Sequence, residues 1–271
     1  EAGQLSLIDT IALSHAGKNL ILLGDPQQLK QPLKGSHPEG TEVSALEHIL
    51  QGKKTIDKKQ GVFLDDTWRM HPSINDFISE LFYDSKLHPK QNNQLQTLEG
   101  NTKFKKPGIY FEPVAHSGNQ NSSPEEVERV KEIVGQLLGS QLDCINTLGQ
   151  KTPLAAEHIK IISPYNAQVN ALTRSLPGIQ IGTVDKFQGQ EAPVVILSMA
   201  TSTPEDAPRG MEFLYSLNRL NVAVSRAKAV FILVGNPKLF EPECRSPHQM
   251  QLANAICRLK EMAHTSTKKS P

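Results

Sequence analysis

Ile181–Met199 reads IGTVDKFQGQEAPVVILSM, two apolar runs on either side of a polar loop that contains one glycine, Gly189. The second run, Pro193–Met199, is rich in β-branched residues and short for a helix, so it predicts a buried strand. The loop ahead of it brings Asp185, Gln188, Gly189, Gln190 and Glu191 to one edge of a sheet. Open α/β sheets bind ligands at such edges.

Outward from this stretch the alternation repeats. Ile159–Ile162 predicts a strand, Tyr165–Leu176 a helix and Ile179–Val184 a strand; downstream, Phe213–Lys228 predicts a helix, Ala229–Val234 a strand and about His248–Met262 a last amphipathic helix. Further upstream Ile109–Val114 predicts a strand. Ser123 as N-cap, Pro124 at the first helical position and Glu126 completing a capping box then open a helix with apolar positions Val127, Val130, Val134, Leu137 and Leu138. Another helix runs from Ser73, after Met70–Pro72 ends the preceding segment and a brief strand at Val62–Leu64. Near the amino end, Leu5–Ser14 predicts a helix, Asn19–Leu23 a buried strand and Thr41–Leu50 a short helix. Strands alternating with helices predict an α/β fold with a mostly parallel sheet covered on both faces. Gln51–Lys59 reads as an inter-domain linker, Leu87–Lys106 and Gly139–Glu157 as loops, and His264–Pro271 as a disordered tail.

The 271 residues are 38% hydrophobic and 21% charged, ordinary for a soluble globular protein of one or two domains. A net charge of +1 means that any nucleic-acid partner is held by local patches, not by an overall basic field. Cys144, Cys244 and Cys257 show neither a CxxC nor metal-ligand spacing, which fits reduced thiols in a cytoplasmic protein. No apolar run approaches the ~20 residues of a membrane-spanning helix. The chain begins EAGQ without methionine and moves at once into an apolar segment, which predicts a piece of a longer protein.

Four polar loops follow or flank apolar strands. In GDPQQLKQP, Gly24–Pro32, the Asp25 carboxylate and Gln28 amide stand where they can reach a phosphate or its attacking water, although the same residues also make an ordinary turn. Arg69 of TWRMHP is either a surface charge lying over Trp68 or a transition-state arginine. In PYNAQ, Pro164–Gln168, Tyr165 suits stacking on a base, while Asn166 or Gln168 suits a helix cap. Arg219 and Arg226 are seven apart, nearly two helical turns, on about one face. Four independent accidents explain this order poorly.

The set resembles superfamily 1 helicases of the 5′→3′ branch. GDPQQL is similar to motif III, TWRMHP to motif IV, PYNAQ to the segment before motif V, TVDKFQGQE to motif V and NVAVSRA to motif VI, while EAGQ looks like the end of a DEAGQ Walker B motif. The wording from Thr183 to Ala227 most resembles bacterial helicases fused to an N-terminal RecB-like nuclease domain. The resemblance implies a RecA-like P-loop NTPase fold, ATP and Mg2+ as cofactors, and single-stranded nucleic acid, DNA ahead of RNA, as partner. It implies that Glu1 activates the attacking water and Gln28 senses the γ-phosphate. Arg69 and Arg226 become arginine fingers, each a device worth about 10³–10⁵ in rate. Gln4, Gly24, Asp25, Gly189, Glu191 and Arg219 would line the nucleotide pocket, and Pro164, Tyr165 and Thr183 would lie toward the strand.

The chain departs from the family where phosphate and metal are held. Its Gly-Lys pairs, Gly17-Lys18 and Gly52-Lys53, are followed by Asn19 and Lys54, so neither completes GxxxxGK[ST]. The metal-binding aspartate would precede Glu1. The expected organisation is therefore a truncated first RecA-like domain over residues 1–55, a second over 61–264 and a disordered tail over 265–271. ATP and Mg2+ would need a preceding helicase half, and residues 1–50 would be loosely held without it. The alternative is a non-catalytic nucleic-acid-binding or scaffold module that keeps the fold. No acidic cluster with a nearby lysine marks a nuclease site within this stretch.

Overall fold

The computed structural model describes residues 1–31 and 41–265. Pro32 of the GDPQQLKQP loop and most of the predicted tail lie outside the described residues.

The central sheet is built from β1 (Gly108–Pro113), β2 (Ile159–Ile162), β3 (Gln180–Gly182), β4 (Ala192–Ser198), β5 (Ala227–Gly235) and β6 (His264–Thr265). Its order is β6-β1-β5-β4-β2-β3, and every pairing is parallel. The helices are α1 (Leu7–Ser14), α2 (Ala45–Leu50), α3 (Pro72–Phe82), α4 (Pro124–Gly139), α5 (Asn166–Ser175), α6 (Gly210–Leu214), α7 (Leu217–Ser225) and α8 (Pro247–Met262).

Successive strand residues point to opposite faces, and both faces here are buried. Ile109, Phe111, Val195, Leu197, Phe231 and Leu233 join one core with residues of α3, α7 and α8. Val194, Ile196, Val230, Ile232 and Val234 join a second core with α4 and α5. That double burial is why the strands read as unbroken apolar runs instead of alternating ones. Each large side chain so buried contributes about 1.5–3 kcal/mol.

Several predicted elements are redrawn. Phe213–Lys228 is not one helix: the chain breaks at Tyr215–Ser216, where the Tyr215 hydroxyl donates to the Leu239 carbonyl (2.5 Å) and Ser216 caps α7. The predicted loops at Leu87–Lys106 and Gly139–Glu157 contribute a small antiparallel sheet, Thr97–Glu99, Asp143–Ile145 and Lys151–Pro153. Val62–Leu64 forms no strand; the pairing lies just beyond, Asp66–Thr67 with His88–Pro89. Asn19–Leu23 is outside any sheet, with Ile21 82% and Leu23 74% exposed. His264 and Thr265 pair with Tyr110 and Phe111, so β6 reaches into the predicted tail. The linker is not free: Thr55 is buried, donates to Asp84 (3.2 Å) and accepts from Lys86 (2.7 Å).

The amino-terminal unit depends on a close crossing of two backbones. A Cβ on Gly3 would stand 2.4 Å from the Asp25 carbonyl oxygen, and one on Gly24 would stand 2.6 Å from the Ala2 nitrogen. Among the described residues, no helix is long and apolar enough to cross a membrane.

Candidate functional site

Because β3 and β4 are parallel, the connection between them must run from the carboxyl edge of the sheet back to its amino edge. It begins at Thr183, turns through Val184–Phe187, passes Gly189 in the left-handed region (φ 77°) and ends at Glu191, directly before β4. Arg226, the C-cap of α7, directly precedes β5. Since β4 and β5 are neighbours, Ala192 N–H donates to the Arg226 carbonyl (3.0 Å), and Glu191 and Arg226 are adjacent at the amino edge.

Arg69 joins them. Its backbone is fixed by Thr67 Oγ1 (3.3 Å) and by the Gln96 amide on its carbonyl (2.7 Å), while its Nε meets Glu191 Oε2 at 2.5 Å. Lys228 Nζ takes the other carboxylate oxygen at 2.8 Å. Burial pushes the Glu191 carboxyl up, but Lys228 and Arg69 outweigh it and hold the group below the usual glutamate range.

Arg226 is only 2% exposed. Its guanidinium donates to the carbonyls of Val222 (3.2 Å) and Gln190 (3.4 Å) and to Ser225 Oγ (3.5 Å). Among the described residues no carboxylate pairs with it. Burial first, and then the neighbouring Arg69, push its pKa down to about 10, so it remains a cation at neutral pH. A buried cation held only by neutral acceptors favours an incoming anion, and guanidinium geometry suits phosphate.

The amino-terminal unit faces this cluster. Gln188 Nε2 donates to Glu1 Oε2 (2.9 Å). Asp25 accepts from the Gln27 N–H (3.0 Å), the Gln28 side-chain amide (2.9 Å) and the Tyr83 hydroxyl (2.5 Å). From α7, Asn218 donates to the carbonyls of Pro26 (3.1 Å) and Gln28 (2.5 Å), and Asn221 to that of Gln27 (2.9 Å). Gln4 is half-buried, with its N–H on the Glu1 carbonyl (2.9 Å), and Gly24 sits at the backbone crossing. The bonds from Gln188, Asn218 and Asn221 thus hold Glu1 and Gln28 against the part of the chain that carries Arg69, Glu191 and Arg226. Arg219 goes elsewhere: it pairs with Asp185 (3.1 Å) and lies over the Phe213 ring (4.8 Å), sharing no partner with Arg226.

Pro164, Tyr165 and Thr183 occupy the opposite, carboxyl edge. Tyr165 is buried against Phe213, with ring centroids 5.6 Å apart, and is the N-cap of α5 without a side-chain cap; Asn166 is the first helical residue, and Gln168 is buried. Gln168 accepts from Ser123 N–H (2.9 Å), the group that Glu126 would satisfy in a capping box. Glu126 instead accepts from Ser198 Oγ (2.6 Å) and Ala200 N–H (2.9 Å), and lies 3.1 Å from the ring of buried His116.

Sequence reasoning missed Tyr83, Lys228, Asn218 and Asn221. Only the asparagines left a signal, two amides three apart on a helix that is otherwise mostly apolar.

The cationic set Arg69, Arg226 and Lys228 fits phosphate oxygens. A divalent cation is another matter: among the described residues no three His, Cys, Asp or Glu side chains gather to hold a metal, and Glu1 alone does not fit magnesium.

A family model described as an AAA domain matches residues 41–238, and the chain belongs to that family. It is 32% identical to the putative helicase mov-10-B.1 of Danio rerio, over 80% of this chain and 24% of that protein. It is 31% identical to helicase sen1 of Schizosaccharomyces pombe, over 87% of this chain and 14% of that protein. Identity to the DNA polymerase alpha-associated DNA helicase A of the same yeast is 30%, over 80% of this chain and 33% of that protein. The chain therefore spans a third or less of these relatives.

Proposed function

We propose that this chain is the carboxyl-terminal motor part of an ATP-dependent superfamily 1 helicase that moves 5′→3′ on single-stranded nucleic acid, DNA ahead of RNA. Arg226 carries the reading: a buried cation without a carboxylate partner among the described residues, set beside the Glu1 and Gln28 segments. Bound ATP supplies a γ-phosphoryl group whose transfer to water spreads negative charge over its oxygens. Arg69 and Arg226 offset that charge, Gln28 reports it, and Glu1 orients the water. Glu191 holds Arg69 and Lys228 at the cleft until an anion competes for them. Pro164, Tyr165 and Thr183 serve the strand at the other edge. The relative named as a DNA helicase supports the choice of DNA.

Residues 1–55 are read as the end of a first RecA-like domain and 61–264 as the second. Exposure of Ile8, Ile11, Leu13, Leu20, Ile21 and Leu23 supports this, since these apolar groups suit cover by a further part of that domain. That part would also bring the phosphate loop and the magnesium aspartate. A RecB-like nuclease domain in the same chain and a cytoplasmic setting complete the proposal.

The test is the ATPase rate of a protein extended to the length of the relatives, with and without single-stranded DNA or RNA, beside Arg226→Ala. Stimulation by DNA with a loss of about 10³-fold or more in the variant is expected. No stimulation by either nucleic acid, with the variant unchanged, would replace the motor with a binding module.

A further inference from the structure

Tyr83 caps the carboxyl end of α3, in the second unit, and is 8% exposed, its ring 5.9 Å from that of Phe63. Packing accounts for the ring, but not for the hydroxyl, which donates to Asp25 Oδ2 (2.5 Å) across the contact between units and accepts from Asn221 Nδ2 (3.1 Å). The same Asp25 oxygen accepts from the Gln28 amide (2.9 Å). We propose that Tyr83 is a positioning residue: its hydroxyl, oriented by Asn221, fixes the Asp25 carboxylate, which in turn aims the Gln28 side chain.

The placement gives this link a mechanical meaning. Arg69 stands three residues ahead of α3 and Tyr83 closes it; Asn218 and Asn221 ride on α7 and Arg226 closes that. The two helices therefore carry both cleft arginines at one set of ends, and Tyr83 at the far end of α3 with Asn218 and Asn221 along α7 grip residues 25–28. α3 and α7 pack against each other, so a shift of the arginines is transmitted to Asp25, and Gln28 turns with it. Burial, reinforced by the Asp25 charge, pushes the Tyr83 hydroxyl well above its ordinary range, so it remains a donor throughout the physiological range.

The link to ATP turnover rests on the helicase reading; the latch itself does not. Tyr83→Phe keeps the ring and removes the hydroxyl. Hydrogen bonds to charged groups are worth about 1.5–3 kcal/mol, so the Gln27 and Gln28 amides should exchange about tenfold faster or more, with Phe231–Leu233 unchanged. Unchanged exchange at Gln27 and Gln28 overturns the latch. In the extended protein, Tyr83→Phe should lower the nucleic-acid-stimulated kcat about threefold or more, with KM within about twofold, and should add nothing in an Asp25→Ala background. Additive losses in that double variant would show that Tyr83 does not act through Asp25. A wild-type protein without stimulation would sink the helicase reading and this coupling together, while the exchange measurement still decides the latch.

Discussion

Replacing Glu126 by alanine should be among the most damaging changes to this fold, although the residue lies one turn into an ordinary-looking helix. Its side chain is fully buried, and its two oxygens serve three groups: Ser198 Oγ (2.6 Å), Ala200 N–H (2.9 Å) and His116 Nε2 (3.1 Å). Alanine removes the acceptor from all three, leaving the Ala200 N–H unpaired and Ser198 Oγ with only the Gln168 amide donating to it (2.9 Å), and each buried unsatisfied group costs about 1–3 kcal/mol. The low half of that range summed over three groups gives about 3–6 kcal/mol, against a typical domain stability of about 5–15 kcal/mol. Glutamine is a sharper control. Its oxygen can accept from Ser198 and Ala200 while its NH2 faces His116, whose ring takes the other tautomer and donates from Nδ1 to Ser202 Oγ, 2.8 Å away. Only the charge assistance is then lost, about 1–2 kcal/mol. Urea unfolding at 25 °C, followed by circular dichroism, should rank wild type above Glu126→Gln and Glu126→Gln above Glu126→Ala, the last two separated by about 1 kcal/mol or more. The network also holds Ala200 at φ 67°, a left-handed conformation that costs a non-glycine residue about 1–2 kcal/mol. Glu126→Ala should therefore speed exchange at the Ala200 amide most. Equal stability of the two variants, or a cost below about 1 kcal/mol for alanine, would refute the accounting.

Gly189→Ala should destabilise by about 1 kcal/mol through its backbone alone, since φ is 77° and a Cβ there meets nothing within 4 Å; the same urea midpoints check it, and no loss would mean that the loop relaxes. The Glu191 carboxyl, followed by carbon NMR, should titrate below the ordinary glutamate value of about 4.3. Its pairing with Arg69 and Lys228 is thus complete above that value and lost as pH falls through the depressed one; Lys228→Met should move the midpoint up, and a midpoint unmoved by that change would count against the pairing.

How much of the fold is legible in the sequence depends on how far each contact reaches along the chain. VVILS and FILVG announce β4 and β5 because strands buried on both faces must be apolar at every position, and Ser123 announces α4 because a cap is local. The same logic misleads at Asn19–Leu23, where an apolar run reports its composition and not whether a neighbour covers it. It misleads again at Glu126, where a local capping partner is outcompeted by three groups brought in from 10 to 74 residues away. The site divides in the same way. Arg69, Glu191 and Arg226 stand out as charges beside apolar runs, but their meeting at the amino edge depends on β4 and β5 being parallel neighbours, which no single segment encodes. Tyr83 is the limiting case: just past α3 it is one more aromatic after Phe77 and Phe82, and only Asp25, 58 residues back, and Asn221, 138 ahead, make its hydroxyl a part of the site. A polar atom on an otherwise apolar side chain is therefore where a reading from periodicity has least to say, and where the couplings between units of such a fold should be sought.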